Sequence, residues 1–398
     1  MKLPFSNKLR FYHAIYVVVA LLCVFSLYAA FSLSGSLLAP LVQILIGWAI
    51  ILSVTRVRYQ ILNQFSSLGL LLAFILLICT LLFGKGGGGR SLRILGIQFQ
   101  SFYIATFLII LYISTFLAIK CEKLNPKEKY LHKEDTRFVL IIILISVGMI
   151  AVRNISTALL LTLSSVGVLY VAGADWRQLL KFALLGGLAL GIYIGIGEFR
   201  KSDQEKDATV QNEVSVNGRG STAMNRIKYW LTGESETVGY GKQMTLAKAA
   251  VARSFTRPTG PGKGMMKKNM AEGDNDFIFA LICEELSIVA GVVIFVLYSI
   301  LFYQSILIAR KARGNPKKGT QGYFIKLFST GIGLLILVQA LIHIGANVGL
   351  IPATGQTLPF ISRGITPLII TSIMIGILVN MAKQVDEKTI DPDDELEV

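Results

Sequence analysis

Residues 11–55 read FYHAIYVVVALLCVFSLYAAFSLSGSLLAPLVQILIGWAIILSVT, with no Asp, Glu, Lys or Arg between Phe11 and Thr55. A helix needs about 20 mostly apolar residues to cross a hydrocarbon core. This run is long enough for two helices, with a turn around Gly35 and Pro40 between them. Helices satisfy their own backbone hydrogen bonds, which lipid cannot do for them. The stretch therefore decides the fold class: an all-α polytopic membrane protein. It is too long for a signal-peptide core, and no small-residue cleavage site follows it, so it reads as an uncleaved first helix.

The rest of the chain repeats the pattern. Further uncharged runs cover Tyr59–Gly84, Ile94–Ile119, Phe138–Val152, Asn154–Ala174, Phe182–Gly197, Leu286–Ala309, Leu327–Ser362 and Gly364–Ala382. Together they predict ten transmembrane helices, at about 12–33, 38–56, 65–83, 99–120, 137–153, 156–173, 178–198, 276–307, 325–347 and 365–382. The composition agrees: 53% of the 398 residues are hydrophobic, 16% are charged and the mean hydropathy is +0.62. Soluble domains carry roughly 25% charged residues, and this much apolar content excludes disorder.

The net charge is +15, from 39 Lys and Arg against 24 Asp and Glu. Such a balance suits nucleic acid or an anionic membrane, and the distribution decides between them. With the N-terminus inside, the inner segments collect Lys2, Lys8, Arg10, Arg56, Arg58, the cluster from Lys120 to Arg137, Arg177, Lys181 and the cluster from Arg310 to Lys326. The short outer loops carry only Lys85, Arg90, Arg93, Arg153 and Arg363. The positive-inside rule then puts both termini in the cytoplasm. Residues 199–275 form one large polar extracytoplasmic loop between helices 7 and 8, with thirteen basic against eight acidic residues. Long loops escape the charge rule. Basic charge on that face lies away from nucleic acid, so no nucleic-acid partner is expected. Residues 383–398 are an acidic cytoplasmic tail. Cys23, Cys79, Cys121 and Cys283 show no CxxC or Cys/His spacing, so neither a disulfide framework nor a metal site is expected.

Polar residues inside apolar runs are the candidates for function, each against a plainer reading. Gly84-Lys85-Gly86-Gly87-Gly88-Gly89-Arg90 lacks the Ser or Thr after Gly-Lys that a phosphate loop needs, and reads as a membrane-surface turn. His343 and Asn347 share a helix face, as an interhelical hydrogen bond or as a cavity lining. Glu284 and Glu285 lie about two turns into the eighth span, either bonded to a neighbouring helix or lining a polar cavity. Arg153 snorkels at the end of span five or touches an anion. Asp276, at the entry to span eight, is either a helix N-cap or a carboxylate at the outer surface suited to a general base.

Two longer stretches carry a resemblance. One is Glu272-Gly273-Asp274-Asn275-Asp276-Phe277-Ile278-Phe279-Ala280-Leu281-Ile282-Cys283-Glu284-Glu285-Leu286. The other is Asn347-Val348-Gly349-Leu350-Ile351-Pro352-Ala353-Thr354-Gly355-Gln356-Thr357-Leu358-Pro359-Phe360-Ile361-Ser362. Together they resemble the SEDS family of bacterial cell-wall proteins, FtsW, RodA and their sporulation relatives. The family patterns run approximately P-E-x-x-x-D-F-I-F-A-x-x-x-E-E-L-G and N-x-G-x-x-P-x-x-G-x-x-L-P-F-x-S. The order of the motifs, the ten-span layout and the large loop before span eight fit as well. Gly260-Pro261-Gly262-Lys263-Gly264, Thr157-Ala158-Leu159 and Val171-Ala172-Gly173 extend the similarity, so that 1–398 reads as a single SEDS-type membrane domain.

The resemblance implies a peptidoglycan glycosyltransferase that polymerises lipid II at the outer face of the bacterial cytoplasmic (inner) membrane, in cell division. It implies Asp276 as the catalytic base of an inverting transfer. Glu272, Arg253, Lys267, Lys268, Arg363 and Asn347 are the candidate substrate-binding residues, the cations for the diphosphate. Glu284, Glu285 and His343 are candidates for structure or cavity. No cofactor is evident; a divalent cation would suit the diphosphate, but no dedicated ligand cluster is visible. Implied partners are undecaprenyl-pyrophosphate-linked glycan, a class B penicillin-binding transpeptidase, and membrane proteins of the divisome or elongasome. A RodA-type elongation polymerase, a flippase for lipid-linked precursor and a silent scaffold are the rival readings. The chain departs from the family in three places. Q-P-S-E-x-x-K at span four becomes Gln100-Ser101-Phe102-Tyr103-Ile104-Ala105-Thr106. P-D-x-G-T becomes Arg153-Asn154-Ile155-Ser156-Thr157, and S-Y-G-G-S becomes Ser362-Arg363-Gly364-Ile365-Thr366.

Overall fold

The computed structural model describes residues 12–84, 91–94, 97–124, 131–184, 186, 230, 240–265, 276–313, 319–352 and 355–387. The helices are α1 (Tyr12–Ser34), α2 (Leu38–Val54), α3 (Gln60–Gln64), α4 (Ser66–Phe83), α5 (Ser101–Glu122), α6 (Lys133–Ala151), α7 (Ile155–Ala172), α8 (Tyr240–Ser254), α9 (Ile278–Leu286), α10 (Ile288–Arg313), α11 (Gly319–Val348) and α12 (Ile365–Glu387). Residues 176–184 are also helical; the remainder of the expected seventh span lies outside the described residues. Among the described residues, α1, α4, α5, α7, α10, α11 and α12 are long and apolar enough to cross a membrane, and α2 is a shorter apolar helix. The chain is a multi-pass α-helical membrane protein.

Helix α11 is the axis of the bundle. It packs against α10, α5 and α7, while α12 pairs with α2, α4 with α5 and α6 with α7. Small residues permit this closeness. A Cβ on Gly331 would meet Ile110 Cγ2 at 2.6 Å, and one on Gly333 would meet Ser305 of α10. Without a hydrophobic drive between helices in lipid, such tight contact is what holds them. The peripheral helix α4 turns Leu68, Leu71, Leu72, Ile75, Ile78 and Leu82 outward, the face lipid would cover.

Two helix ends follow directly from sequence. At Gly349 (φ +79°) the Leu350 N–H reaches Gly345 O at 2.8 Å and the Gly349 N–H reaches Ala346 O at 3.3 Å. Gly173 (φ +93°) ends α7 in the same way, with Ala174 N–H on Leu169 O. Both are Schellman ends, which need a left-handed residue just past the helix.

Three features depart from the sequence expectation. The polar segment 199–275 is not all loop: α8 buries Met244, Ala247, Ala250 and Val251 along one stripe, against α9 and α11. A two-stranded antiparallel hairpin, β1 (Leu92–Ile94) and β2 (Ile97–Phe99), joins the α4 end to α5. The eighth span is two helices, because the chain breaks between α9 and α10 at Ser287, with φ 108° and ψ 159°. The family pattern places Gly here. That region of backbone space is populated essentially by Gly and costs other residues about 1–3 kcal/mol.

Ser287→Gly is therefore expected to raise stability by about 1–2 kcal/mol, the relieved strain less the added chain entropy of glycine. The Ser287 hydroxyl contacts to Ser254 O and Val289 N are both long, at 3.4 Å, so little is lost with them. Thermal unfolding in detergent reads the effect; an unchanged or lower midpoint contradicts the strain assignment.

Candidate functional site

The two motif stretches meet at one amide. Asn347, in the last turn of α11, is fully buried. Its Oδ1 accepts the Ala280 N–H at 3.0 Å, and its Nδ2 donates to Asp276 O at 3.0 Å and to His343 O at 2.8 Å. The first turn of any helix leaves N–H groups without intrahelical partners. Here a side chain from another helix supplies the acceptor. The C-terminal end of α11 thus abuts the N-terminal end of α9, which also aligns opposite dipole ends. The cap residue of α9 is Phe277, whose side chain makes no cap bond. Asp276 is half-buried and its main chain is fixed by Asn347. Asn347, expected among the substrate contacts, is buried, with its side-chain carbonyl and amide both bonded to backbone.

Glu284 and Glu285 anchor the other end of α9. Glu285 accepts four hydrogen bonds: from Tyr28 OH at 3.0 Å, Ser32 Oγ at 2.6 Å, Gly262 N at 3.1 Å and Gly264 N at 3.2 Å. Glu284 accepts the Met265 N–H at 3.0 Å. The carbonyls of both residues are bonded as well, to Thr259 N and Gly260 N. The Gly260–Met265 turn therefore wraps the C-terminal end of α9 and ties it to α1. Gly264 has to be glycine, since a Cβ there would lie 2.9 Å from Glu285 Oε1 and 3.1 Å from Glu284 Oε2. Of the two readings open in the sequence, the structural one holds for this pair. Buried carboxylates are tolerated when hydrogen bonds replace the lost water.

The second motif folds into the bundle. Gln356, Thr357, Leu358, Phe360 and Ile361 are all buried. Gln356 Nε2 donates to Thr157 Oγ1 at 2.6 Å and its main-chain oxygen meets His343 Nδ1 at 2.7 Å. Gln339 Nε2 donates to Thr357 O at 2.9 Å, and Tyr298 OH donates to Pro359 O. Tyr103 OH lies 3.1 Å from Gln356 Oε1 and 2.9 Å from Thr357 Oγ1. Tyr103 and Thr106 stand where the family commonly has Glu and Lys. Thr106 Oγ1 turns back to Tyr103 O at 2.9 Å. A neutral network thus occupies the place of the ion pair.

The remaining candidates disperse. Arg363 Nη2 donates to Ala30 O at 3.1 Å, near the end of α1. Arg153 Nη2 does the same for Leu81 O of α4, at 2.7 Å. Arg253 is exposed, with Nη1 2.6 Å from Met265 Sδ. His343 is buried, and among the described residues its Nε2 has no hydrogen-bond partner. Glu272, Lys267 and Lys268 lie outside the described residues. Among the described residues, no group of three or more His, Cys, Asp and Glu is placed to hold a metal ion. Sequence reading missed Tyr28, Ser32, Trp230 and Lys248. Trp230 Nε1 donates to Gly349 O at 2.9 Å, and the Lys248 stem covers Gly349. Only the apolar stripe of α8 signalled that this segment docks here.

Residues 7–387 match the FTSW_RODA_SPOVE family, described as cell cycle protein. The chain is 25% identical over 343 residues to a protein of Idiomarina loihiensis named probable peptidoglycan glycosyltransferase FtsW, covering 85% of this chain and 76% of that one. A Coxiella burnetii protein of the same name is 24% identical over 355 residues, covering 87% and 86%. In structure, the chain is similar to Thermus thermophilus rod shape determining protein RodA, with TM-score 0.59 and 18% identity over 93% of this chain and 96% of that one. It is also similar to a chain of a peptidoglycan synthase complex that coordinates polymerization and crosslinking, with TM-score 0.70 and 19% identity over 96% and 99%.

Glu285→Gln tests the anchoring role. Glutamine keeps the shape but presents an NH2 toward donors that need an acceptor. Each buried donor left without an acceptor costs about 1–3 kcal/mol. The variant is expected to unfold at a clearly lower temperature, and the turn at Gly260–Met265 to become cleavable by protease. Native stability with a protected turn contradicts the role.

Proposed function

The chain belongs to the FtsW/RodA/SpoVE cell cycle protein family, and on that premise we propose that it is a peptidoglycan glycosyltransferase. It polymerises lipid II into glycan strands at the outer face of the bacterial cytoplasmic membrane, with both termini in the cytoplasm. The sequence relatives are named FtsW, which favours a role in division. The observation that carries the catalytic assignment is the fixed main chain of Asp276, held at the mouth of α9 by Asn347.

In this reading the Asp276 carboxylate takes the proton from the 4-hydroxyl of the acceptor GlcNAc. That oxygen attacks the anomeric carbon of the donor MurNAc from the face opposite the leaving group. The C–O bond to the diphosphate breaks, undecaprenyl diphosphate departs with the electron pair, and the configuration inverts. A general base must sit within hydrogen-bond reach of its proton with little freedom. The Asn347 clamp supplies that restriction, and Glu285 holds the far end of the same short helix. Cations near the site neutralise the charge that develops on the leaving diphosphate. A class B penicillin-binding transpeptidase is the expected partner; the structural likeness to a chain of a synthase complex supports this.

Purified protein, with and without that transpeptidase, is given lipid II and glycan length is followed on a gel. Native protein is expected to make polymer, and Asp276→Asn to lose about 10²–10⁴-fold in rate, the usual share of general-base catalysis. Undiminished polymer from Asp276→Asn contradicts the base assignment. Movement of precursor across vesicles without any polymer replaces the polymerase by a transporter.

A further inference from the structure

Several of the described cations are either bonded or exposed. Arg363 is bonded to Ala30 O, Arg153 to Leu81 O and Arg253 to Met265 Sδ, while Arg257 and Lys263 are exposed. Lys248 differs from Arg253, Arg257 and Lys263 in its partial burial and from Arg363 and Arg153 in having no hydrogen bond among the described residues, although Arg153 Nη1 is also buried without one. Lys248 projects from α8 and is half-buried, and among the described residues its ammonium makes no hydrogen bond or ion pair. Its stem packs on the backbone of Gly349. A Cβ built on Gly349 would lie 2.1 Å from Lys248 Cε and 3.0 Å from both Cδ and Nζ, so the stem lies flat on the glycine.

The place where it lies matters. Gly349 is the left-handed residue that ends α11, with φ +79°. Its carbonyl is already taken by the Trp230 indole at 2.9 Å. Two residues before it stands Asn347, whose amide holds Asp276. A lysine normally leaves its ammonium mobile in water, at a large cost in side-chain entropy when it binds. Here the stem already rests on Gly349, and among the described residues the ammonium has no hydrogen-bond or ion-pair partner. A cation packed two residues from the Asn347 that holds Asp276, and without a partner among the described residues, is suited to an anion that the substrate of that carboxylate carries.

We infer that Lys248 is a diphosphate-binding residue of this site, its ammonium receiving the diphosphate of the lipid-linked sugar. The inference rests on the glycosyltransferase reading for the identity of the substrate. It assigns to α8, within the segment expected to be loop, a direct part in substrate binding. Gly349 then has two duties, ending α11 and leaving room for the lysine stem.

The test is binding of undecaprenyl diphosphate to the full chain in phosphatidylcholine nanodiscs, with phosphatidylglycerol nanodiscs as the second arm. Lys248→Met keeps a stem to cover Gly349, and Lys248→Gln serves where it does not fold. Either is expected to weaken binding by about 10-fold or more, the loss expected for one charge-assisted hydrogen bond. Lys248→Arg should retain most of the affinity. Unchanged affinity in the Met and Gln variants overturns the inference, as does a Lys248-dependent affinity for phosphatidylglycerol equal to that for the diphosphate. Because binding is read without turnover, Lys248-dependent binding by a chain that makes no polymer upholds this site while removing the polymerase reading. Polymer from a chain whose binding ignores Lys248 does the reverse.

Discussion

A single buried amide joins the two motif stretches of the chain. Asn347 ends one long helix and, with the same side chain, begins a short one. The short helix α9 has nine residues, too few to be stable alone. Its position must come from outside, and it comes at both ends. Asn347 grips the start, and the Gly260–Met265 turn, bonded to Glu284 and Glu285, grips the end. Asp276 inherits its place from this arrangement. Loss of the amide would leave both the Ala280 N–H and the Asp276 carbonyl to find other partners in an apolar setting, a cost of about 1–3 kcal/mol each.

The same economy explains how the chain keeps the fold while departing from family pattern. Tyr103 and Thr106 replace a Glu and a Lys, yet the second motif is still latched to α5, through Tyr103 OH on Gln356 and Thr357. A buried ion pair is costly to desolvate, and a well-bonded neutral set can match it in stability. Thr157 and Gln339 complete the latch from α7 and α11. The departure reads as a substitution of one set of contacts for another, with the motif backbone held in both cases.

Much of this was legible in the chain, for physical reasons that differ by element. The spans announce themselves because lipid tolerates few charges, so α1, α2, α4, α5, α7, α11 and α12 lie close to the spans expected from the uncharged runs. The Asn-Val-Gly-Leu-Ile-Pro segment shows a helix end, since Gly349 permits the left-handed turn and Pro352 cannot continue a helix. The break at Ser287 was not legible, because serine there replaces the glycine that would have marked it, and the apolar pattern runs on unbroken. Helix α8 was hidden by its charged faces, although Met244, Ala247 and Val251 keep helical spacing. For Asn347 the sequence marks a polar residue in an apolar run, and not whether its amide meets backbone, as here, or a ligand. Lys248 was one of thirteen loop cations, and only its packing on Gly349 separates it from the rest.

The dependence of Asp276 on Asn347 is tested most directly by a double-mutant cycle on glycan polymerisation, with Asn347→Ala, Asp276→Asn and the double variant at matched fold stability. If Asn347 acts by placing the base, Asn347→Ala lowers kcat by about 10²-fold, as a displacement of about 1 Å can, with KM near the native value. It then adds little to the loss caused by Asp276→Asn, because a misplaced base and an absent one fail in the same step. Losses that simply add, or a native rate from Asn347→Ala, would contradict the account.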